Sequence, residues 1–466
     1  MIGRSALALS LPGALLGQEK EPARPNVLFI AVDDLRPQLG CYGHGGIVSP
    51  NLDHLAADGV VFNRCYCQSP VCGASRASLL SGIRPTRDRH FIWDLHADRQ
   101  WGAPLSLPKR FRQHGYQTVC NGKIYHYRDD GAGSWSRPAW RPGGDWVGRG
   151  YLLRDNQRIA AGANGIGPAY ECADVPDSAY PDGVIAEQSI SDLRRLTRRG
   201  EPFFLAAGFL KPHLPFVAPK RYWDLYDPEE IELAGNAFRP KEAPDAAIHN
   251  WGELRQYHGI PAEGPLPEEM ARRLRHGYYA CTSYTDAQIG RLLAEVEQLG
   301  LRDKTIVVLW GDHGWNLGEH TLWCKHCHFK TSLRAPLIVR VPGLTGGTKT
   351  DGLTEFVDIY PSLCELCDLP RPGHLEGRSF VPLLKEPEQI WKEAVYSRYY
   401  NGTSVRTERY CYTEWAREDG TMYARMLYDE KLDPQENVNI AERSENAGLV
   451  KQLSQALHKF RAGYVS

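Results

Sequence analysis

Four stretches of this sequence end an apolar run on residues able to hold a cation or move a proton. Asn26–Val32 runs into Asp33-Asp34, and a weaker run around Val119 leads to Gly122-Lys123-Ile-Tyr-His126. Pro202–Phe209 runs into Leu210-Lys211-Pro-His213, and Thr305–Trp310 into Gly311-Asp312-His313. If Asp33, Asp34 and Asp312 meet, three carboxylates repel one another and resist ionising together. A divalent cation removes that conflict, and oxygen donors favour calcium first, then magnesium, over softer metals. His313 would add a nitrogen, an unusual ligand for calcium. Each of these residues taken singly reads as a solvated loop side chain; the four together point to a site.

Such residues work only if the elements before them deliver their ends to one place. Asn26–Val32 is apolar throughout, as a central strand covered on both faces must be. Strand-like runs at 118–120, 202–209, 305–310 and 336–341 alternate with helical patterns, which predicts an α/β fold with a large mixed, mostly parallel sheet flanked by helices. Open sheets of this kind bind ligands at the carboxyl ends of their strands. Ile289, Leu292, Leu293, Val296 and Leu299 recur at helical spacing, with Gly300 placed to end the helix. Residues 128–180 and 210–270, rich in Pro, Gly, Trp and Asp, read as long loops. After about Glu386 the texture changes to short aromatic strands, Ala394–Tyr400 and Arg409–Trp415, and a final helix from about Asn446 to Ala462. The expected division is a leader over 1–23, a catalytic domain over 24–385 and a small α+β subdomain over 386–466.

Composition narrows the function. The 55 Lys+Arg against 56 Asp+Glu leave a net charge of −1, which argues against a general nucleic-acid binder. The mean hydropathy is −0.44, and no apolar run is long enough to span a membrane. Arg4, the apolar stretch Ser5–Gly17 and the polar segment after it have the form of a secretory signal, so a periplasmic or secreted protein is expected. Twelve cysteines in 466 residues are too sparse for a disulfide scaffold. Cys324-Lys-His-Cys327, followed by His328, has no second ligand pair for zinc, so local packing or one disulfide is the expectation.

One further segment carries a resemblance. Ser69-Pro-Val-Cys72-Gly-Ala-Ser-Arg76-Ala-Ser-Leu-Leu-Ser-Gly82 resembles the signature of the type I sulfatases. The likeness runs from about Asn26 to Asn439 and looks closest to the iduronate-2-sulfatase branch. Val32-Asp-Asp-Leu-Arg-Pro37, Gly122-Lys-Ile-Tyr-His126, Lys211-Pro-His213, Gly311-Asp-His-Gly-Trp315, Trp323-Cys-Lys325 and the C-terminal Leu427-Tyr-Asp-Glu-Lys-Leu-Asp433-Pro all take part. Ala74 departs from the usual proline. The resemblance implies an alkaline-phosphatase-like fold, and a formylglycine made from Cys72 by a maturation enzyme, its hydrate being the nucleophile. At a helix start that position is favourable for negative charge. The same likeness implies Asp33, Asp34, Asp312 and His313 around one divalent cation. Arg76 would bond the hydrate, Lys123 and Lys325 would neutralise sulfate oxygens, and His126 would take a proton. His213 or Lys325 would protonate the departing sugar oxygen. Trp315 would be a sugar platform, with Lys211, Asp129 and Asp130 contacting a sulfated carbohydrate.

Two rivals stay open at this stage. A phosphoesterase or phosphonate hydrolase of the same superfamily would commonly need two close metals, and ligands for only one are in view. A silent carbohydrate-binding relative, or a buried structural Cys72, would leave the thiol unmodified.

Overall fold

Val27, Phe29 and Ala31 alternate with Leu28, Ile30 and Val32 along the first strand, and all six are fully buried. The odd-numbered set joins a layer with Leu79, Leu80, Ile359 and Leu363. The even-numbered set joins a second layer with Ile185, Leu193, Ile289, Leu292 and Val296. The strand is therefore sandwiched between helices, which is why it has no polar face. These relations come from a computed structural model, which describes residues 24–86, 96–97, 105–143, 150–163 and 165–462. The leader expected over 1–23 lies outside the described residues.

The main sheet has seven strands: β1 (Asn26–Val32), β2 (Val60–Phe62), β3 (Gln117–Gly122), β4 (Phe203–Phe209), β5 (Thr305–Gly311), β6 (Leu337–Arg340) and β7 (Thr348–Thr350). Their spatial order is β7-β2-β6-β5-β1-β4-β3. The half that matters for chemistry, β5-β1-β4-β3, is parallel throughout, whereas β6 runs antiparallel to both its neighbours. Register decides the site. Val32 lies opposite Phe209 on one side and Gly311 on the other, and Gly122 lies opposite Gly208. The strands end flush, so Asp33, Lys123, Leu210 and Asp312 leave the sheet along one edge.

Four helical elements pack around the main sheet and its edge, α1 (Cys72–Ser81), α2 (Pro181–Arg199), the single turn α3 (Gly252–Arg255) and α4 (Glu268–Gln298), and a C-terminal helix, α5 (Ala447–Ala462), lies apart. The apolar spacing at 289–299 lies on the last turns of α4, and Gly300 follows in the left-handed region at φ 64°, as a helix stop needs. No described helix is long and apolar enough to cross a membrane.

Two expectations need correction. The supposed loops hold short elements: a helix over Arg154–Ala161, and a strand over Tyr170–Ala173 paired in parallel with Phe216–Pro219. They pack into a separate aromatic core with Trp223, Trp251, Tyr278 and Trp315, and elements of four to eight residues are too short to print a period. The C-terminal sheet has four antiparallel strands rather than two: β8 (Ala394–Tyr399), β9 (Gly402–Thr407), β10 (Tyr410–Ala416) and β11 (Met422–Asp429). Val405, Tyr412 and Leu427 of this sheet form a small core with Val450, Leu453 and Leu457 of α5. All twelve cysteines are free. Cys327 Sγ sits 3.0 Å from Ser332 Oγ, so this pair of cysteines serves packing, one of the two expected outcomes.

Candidate active site

Helix α1 begins at Cys72, after Val71 in extended conformation, and all ten of its residues are buried. The thiol thus lies beside unpaired N–H groups at the helix start. Cys72 Sγ is 3.3 Å from His313 Nε2 and 3.8 Å from Asp34 Oδ1. Burial, and then Asp33, push this thiol well above its ordinary range, which disfavours the thiolate.

One turn along, the buried Arg76 spreads over the strand ends. Its Nε donates to Asp312 Oδ2 at 2.8 Å, its Nη2 to Asp33 Oδ1 at 3.0 Å, and its Nη1 to the Ile124 carbonyl at 3.1 Å. Lys123 Nζ donates to Asp33 Oδ2 at 2.6 Å. Burial alone would raise the Asp33 carboxyl, but Lys123 and Arg76 overcome it and hold it well below the usual range. Asp34 is the opposite case. Lys325 Nζ donates to its two oxygens at 2.9 and 3.1 Å, yet burial, with Asp33, Glu253 and Asp312 nearby, leaves it well above the usual range. The Asp34 backbone is left-handed, at φ 62°, a conformation that is costly for a non-glycine residue. It is held by the Tyr278 hydroxyl, which donates to the Asp34 carbonyl at 2.9 Å, and by the Asp34 N–H donating to Asp312 Oδ1 at 2.9 Å.

Asp34, Asp312, His313 and Cys72 each offer one ligand atom, and these four atoms lie within 4.8 Å of one another, all buried. His313 Nδ1 is 2.8 Å from the Gly314 carbonyl, to which it donates, so Nε2 turns its lone pair toward the carboxylates. A carboxylate forced toward neutrality by burial, a second carboxylate and an imidazole lone pair fit a divalent cation. Asp33 is placed differently: both its oxygens are engaged by Arg76 and Lys123, and it groups with Cys72 and His213.

The comparisons with known proteins are consistent with this geometry. A family model described as Sulfatase matches residues 25–369, and one described as N-sulphoglucosamine sulphohydrolase, C-terminal, matches 318–463. The chain belongs to the sulfatase family. It is 31% identical to the iduronate 2-sulfatase of Mus musculus, covering 96% of both chains. It is 34% identical to that of Homo sapiens, over 79% of this chain and 73% of the relative. Two solved structures share the fold at a TM-score of 0.76. One, described in complex with D-glucosamine-2-N,6-O-disulfate, is 23% identical and covers 95% of this chain and 98% of its own. The other, a phosphonate monoester hydrolase from Silicibacter pomeroyi, is 22% identical and covers 94% and 95%. The protein is a sulfuric ester hydrolase, and its family implies a divalent metal and a formylglycine.

In this sulfatase the remaining expected residues fall into two groups. His213 and Lys325 reach the cluster. Lys325 is buried, and although burial lowers its ammonium, Asp34 together with Cys72, Glu253 and Asp33 holds it well above its ordinary range. His213 Nδ1 is 2.6 Å from the Leu214 carbonyl, and Nε2 is 3.8 Å from Asp34 Oδ2. Burial and Lys325 push this imidazole well below its usual range, with Glu253 opposing. His126 is also pushed well below, by burial and then Lys123, and its Nδ1 makes no hydrogen bond among the described residues.

Of the four residues expected to touch substrate, Trp315, Lys211 and Asp130 are buried and engaged within the protein. Trp315 is 1% exposed, with Lys325 Nζ 5.0 Å from its ring centroid and the His213 ring at 6.5 Å. It supports these groups from beneath instead of offering a bare face to a sugar. Lys211 Nζ donates to the His213 and Pro215 carbonyls at 2.8 and 2.6 Å, which braces the loop bearing His213. Asp130 is buried, and its Oδ2 accepts from the Ala97 N–H at 2.8 Å, a loop-holding contact. Asp129 is exposed, 3.8 Å from His96 Nδ1.

Sequence reasoning missed Glu253. Its Oε1 lies 3.1 Å from His213 Nε2, and its Oε2 lies 3.2 Å from Lys325 Nζ. A lone glutamate in an irregular Trp251-Gly-Glu stretch carries no periodicity or motif, so only the folded chain reveals it.

Proposed function

We propose that this sulfatase removes a sulfate ester from a carbohydrate, in the manner the name of its mammalian iduronate 2-sulfatase relatives suggests. The observation that carries the reading is the convergence of Cys72, three carboxylates, Arg76, Lys123, Lys325 and two histidines at one sheet edge. Converted to formylglycine, position 72 would supply a hydrated aldehyde as nucleophile, and a bound divalent cation, for which the carboxylates favour calcium although the His313 nitrogen is an unusual ligand for it, would supply charge for the sulfate oxygens. Asp34, Asp312 and His313 would hold that cation, with Asp33 held beside them by Arg76 and Lys123.

The chain's own residues account for the rest. Sulfate is an anion, so positive charge must face it in a site that excludes water. Lys123 and Lys325 provide that charge, and Arg76 orients the group at position 72. His126, kept neutral by burial, is suited to accept a proton. Lys325, which keeps its proton, or His213, once Nε2 is protonated beside Glu253, gives a proton to the departing sugar oxygen. A phosphonate or phosphate monoesterase is disfavoured because the family model and the mammalian relatives the chain matches are sulfatases.

Cys72 is 3% exposed, so its conversion must precede folding, by a maturation enzyme acting on the unfolded chain. The leader expected over residues 1–23 supports a periplasmic or secreted location, where sulfated polysaccharides are met. The test is sulfate release from a panel of sulfated mono- and disaccharides, alongside mass spectrometry of the Cys72 peptide. Release from a 2-sulfated uronic acid with an aldehyde at position 72 is expected. An unmodified thiol in a fully active protein would overturn the reading.

A further inference from the structure

Glu253 reaches the site from an element outside the main sheet. It sits on the single turn α3, opened by Trp251 at φ 36°, a strained position for a bulky residue. Such strain persists only where the surroundings over-determine it, and here they do. Trp251 and Leu254 are buried. Arg255 stacks 3.5 Å over the Trp251 ring, and its Nε donates to Asn250 Oδ1 at 2.7 Å while its Nη2 donates to the Gly264 carbonyl at 2.7 Å. The turn aims Glu253, whose side chain is four-fifths buried (20% exposed), at two groups from two other elements. Lys325 also sits in strained backbone, between Cys324 at φ 66° and His326 at φ 76°.

The consequence concerns competition for Asp34. Lys325 bonds both oxygens of Asp34, the same carboxylate that belongs to the cation's donor set. An ammonium and a divalent cation cannot both be satisfied by one carboxylate at full strength. Lys325 therefore needs a second anion outside the Asp34, Cys72, Asp312 and His313 donor set, and Glu253 Oε2 at 3.2 Å is that anion. The same carboxylate, through Oε1, also faces His213 Nε2 at 3.1 Å, a contact that binds when Nε2 carries a proton.

We propose that Glu253 is a positioning residue of this site. It ties the Lys325 ammonium and the His213 imidazole into one unit on the leaving-group side and keeps them there when Asp34 turns to the cation. The proposal rests on the functional reading above for what the two groups do, but the coupling among the three side chains can be measured without it.

The experiment uses the matured, metal-loaded enzyme and compares kcat/KM for a sugar sulfate and for nitrophenyl sulfate. The variants are Glu253→Gln, Glu253→Asp, Lys325→Ala, His213→Ala and the double variant Glu253→Gln/Lys325→Ala. Glu253→Gln should lower kcat/KM on the sugar sulfate about 10- to 100-fold, the usual cost of losing a group that orients another. Its metal content and melting temperature should be unchanged. Glu253→Asp, which keeps the charge one methylene farther back, should recover part of the loss. In the Lys325→Ala background the same Gln substitution should cost less than about 3-fold, because contacting groups are not additive. An equal cost in both backgrounds would overturn the proposal, and so would loss of the metal in Glu253→Gln, which would make Glu253 a ligand. If Glu253→Gln does not fold, a wild-type-like kcat/KM in folded Glu253→Asp would also overturn it. The functional reading fails by a different result: equal losses on both substrates in His213→Ala and Lys325→Ala. The loss of coupling in the double variant would still support Glu253 as the holder of that pair.

Discussion

Two of the sites where the molecule buries acids against bases are built on different terms. In the first, at the sheet edge, Asp33, Asp34 and Asp312 meet Arg76, Lys123 and Lys325. In the second, beyond the end of α1, Glu355 and Asp358 meet Arg84 and Lys392. Lys392 Nζ donates to Glu355 Oε2 at 2.6 Å and to both Asp358 oxygens at 2.7 Å, and Arg84 Nε donates to Glu355 Oε1 at 3.3 Å. Each cluster splits its acids in the same way. Asp33 and Glu355 are held low because their cations outweigh burial, whereas Asp34 and Asp358 are raised by burial.

The difference lies in who donates. Glu355 accepts from the Tyr396 N–H at 3.1 Å, and Asp358 accepts from the N–H groups of Arg378 and Glu355 at 2.8 and 2.9 Å. Those donors are backbone and cannot turn away. Every hydrogen bond to the Asp34 carboxylate among the described residues comes from a side chain, and its own backbone is strained. Glu355 and Asp358 are locked by the main chain; Asp34 can exchange partners. The first kind of construction suits a joint between α1, the 355–358 turn and the C-terminal sheet, and the second suits a site that must admit a cation and a sulfate.

Four experiments test that contrast, taken from the largest effect downward. Cys72→Ala should abolish turnover while melting like the wild type, because it removes only the nucleophile. Measurable wild-type-like activity in this variant would remove Cys72 from the chemistry. Chelation, or Asp312→Asn, should come next, with activity falling to background and elemental analysis of the untreated protein showing about one divalent ion per chain. A metal-free protein with full activity would refute the exchangeable character of the edge cluster.

Third, His213→Ala or Lys325→Ala should harm sugar sulfate hydrolysis about 10²- to 10⁴-fold more than aryl sulfate hydrolysis, since a nitrophenolate departs without a proton. Lys123→Ala should depress both substrates alike. Steady-state kinetics on the two substrates decides this.

The smallest effect on activity should come from the locked cluster. Lys392→Met should lower stability by about 3–5 kcal/mol, because it leaves a buried carboxylate without its cation, yet leave kcat/KM of the folded enzyme nearly intact. Its pH dependence has a definite sign. Glu355 is held at about 2 against an ordinary 4.5, so its ion pairing stabilises the fold above pH 4.5 and is lost as pH falls toward 2. The stability gap between wild type and Lys392→Met, from denaturant melts, should shrink over that window. A gap independent of pH would mean that the loss is one of packing.

How much of this was readable without the fold depends on the kind of signal. The strands β1, β4 and β5 declare themselves because a parallel strand buried on both faces must be apolar for its whole length, and the polar residues that follow stand out against it. The helix start at Cys72 is equally local, since a Cys-x-Ala-Ser-Arg run is written in consecutive residues. The matching register of Val32, Phe209 and Gly311 is not written anywhere along the chain, because hydrogen bonding between distant strands sets it. That register brings Asp33, Asp34 and Asp312 within reach of each other. Trp315 and Lys211 show the limit from the other side. Their types suit sugar and sulfate, but burial beneath Lys325 and a bond to the Pro215 carbonyl turn them to support. Glu253 is the clearest case of what only tertiary structure decides. Nothing near it in sequence marks it, and it matters solely because a strained turn, held by packing around Trp251, delivers its charge to a lysine and a histidine folded in from elsewhere.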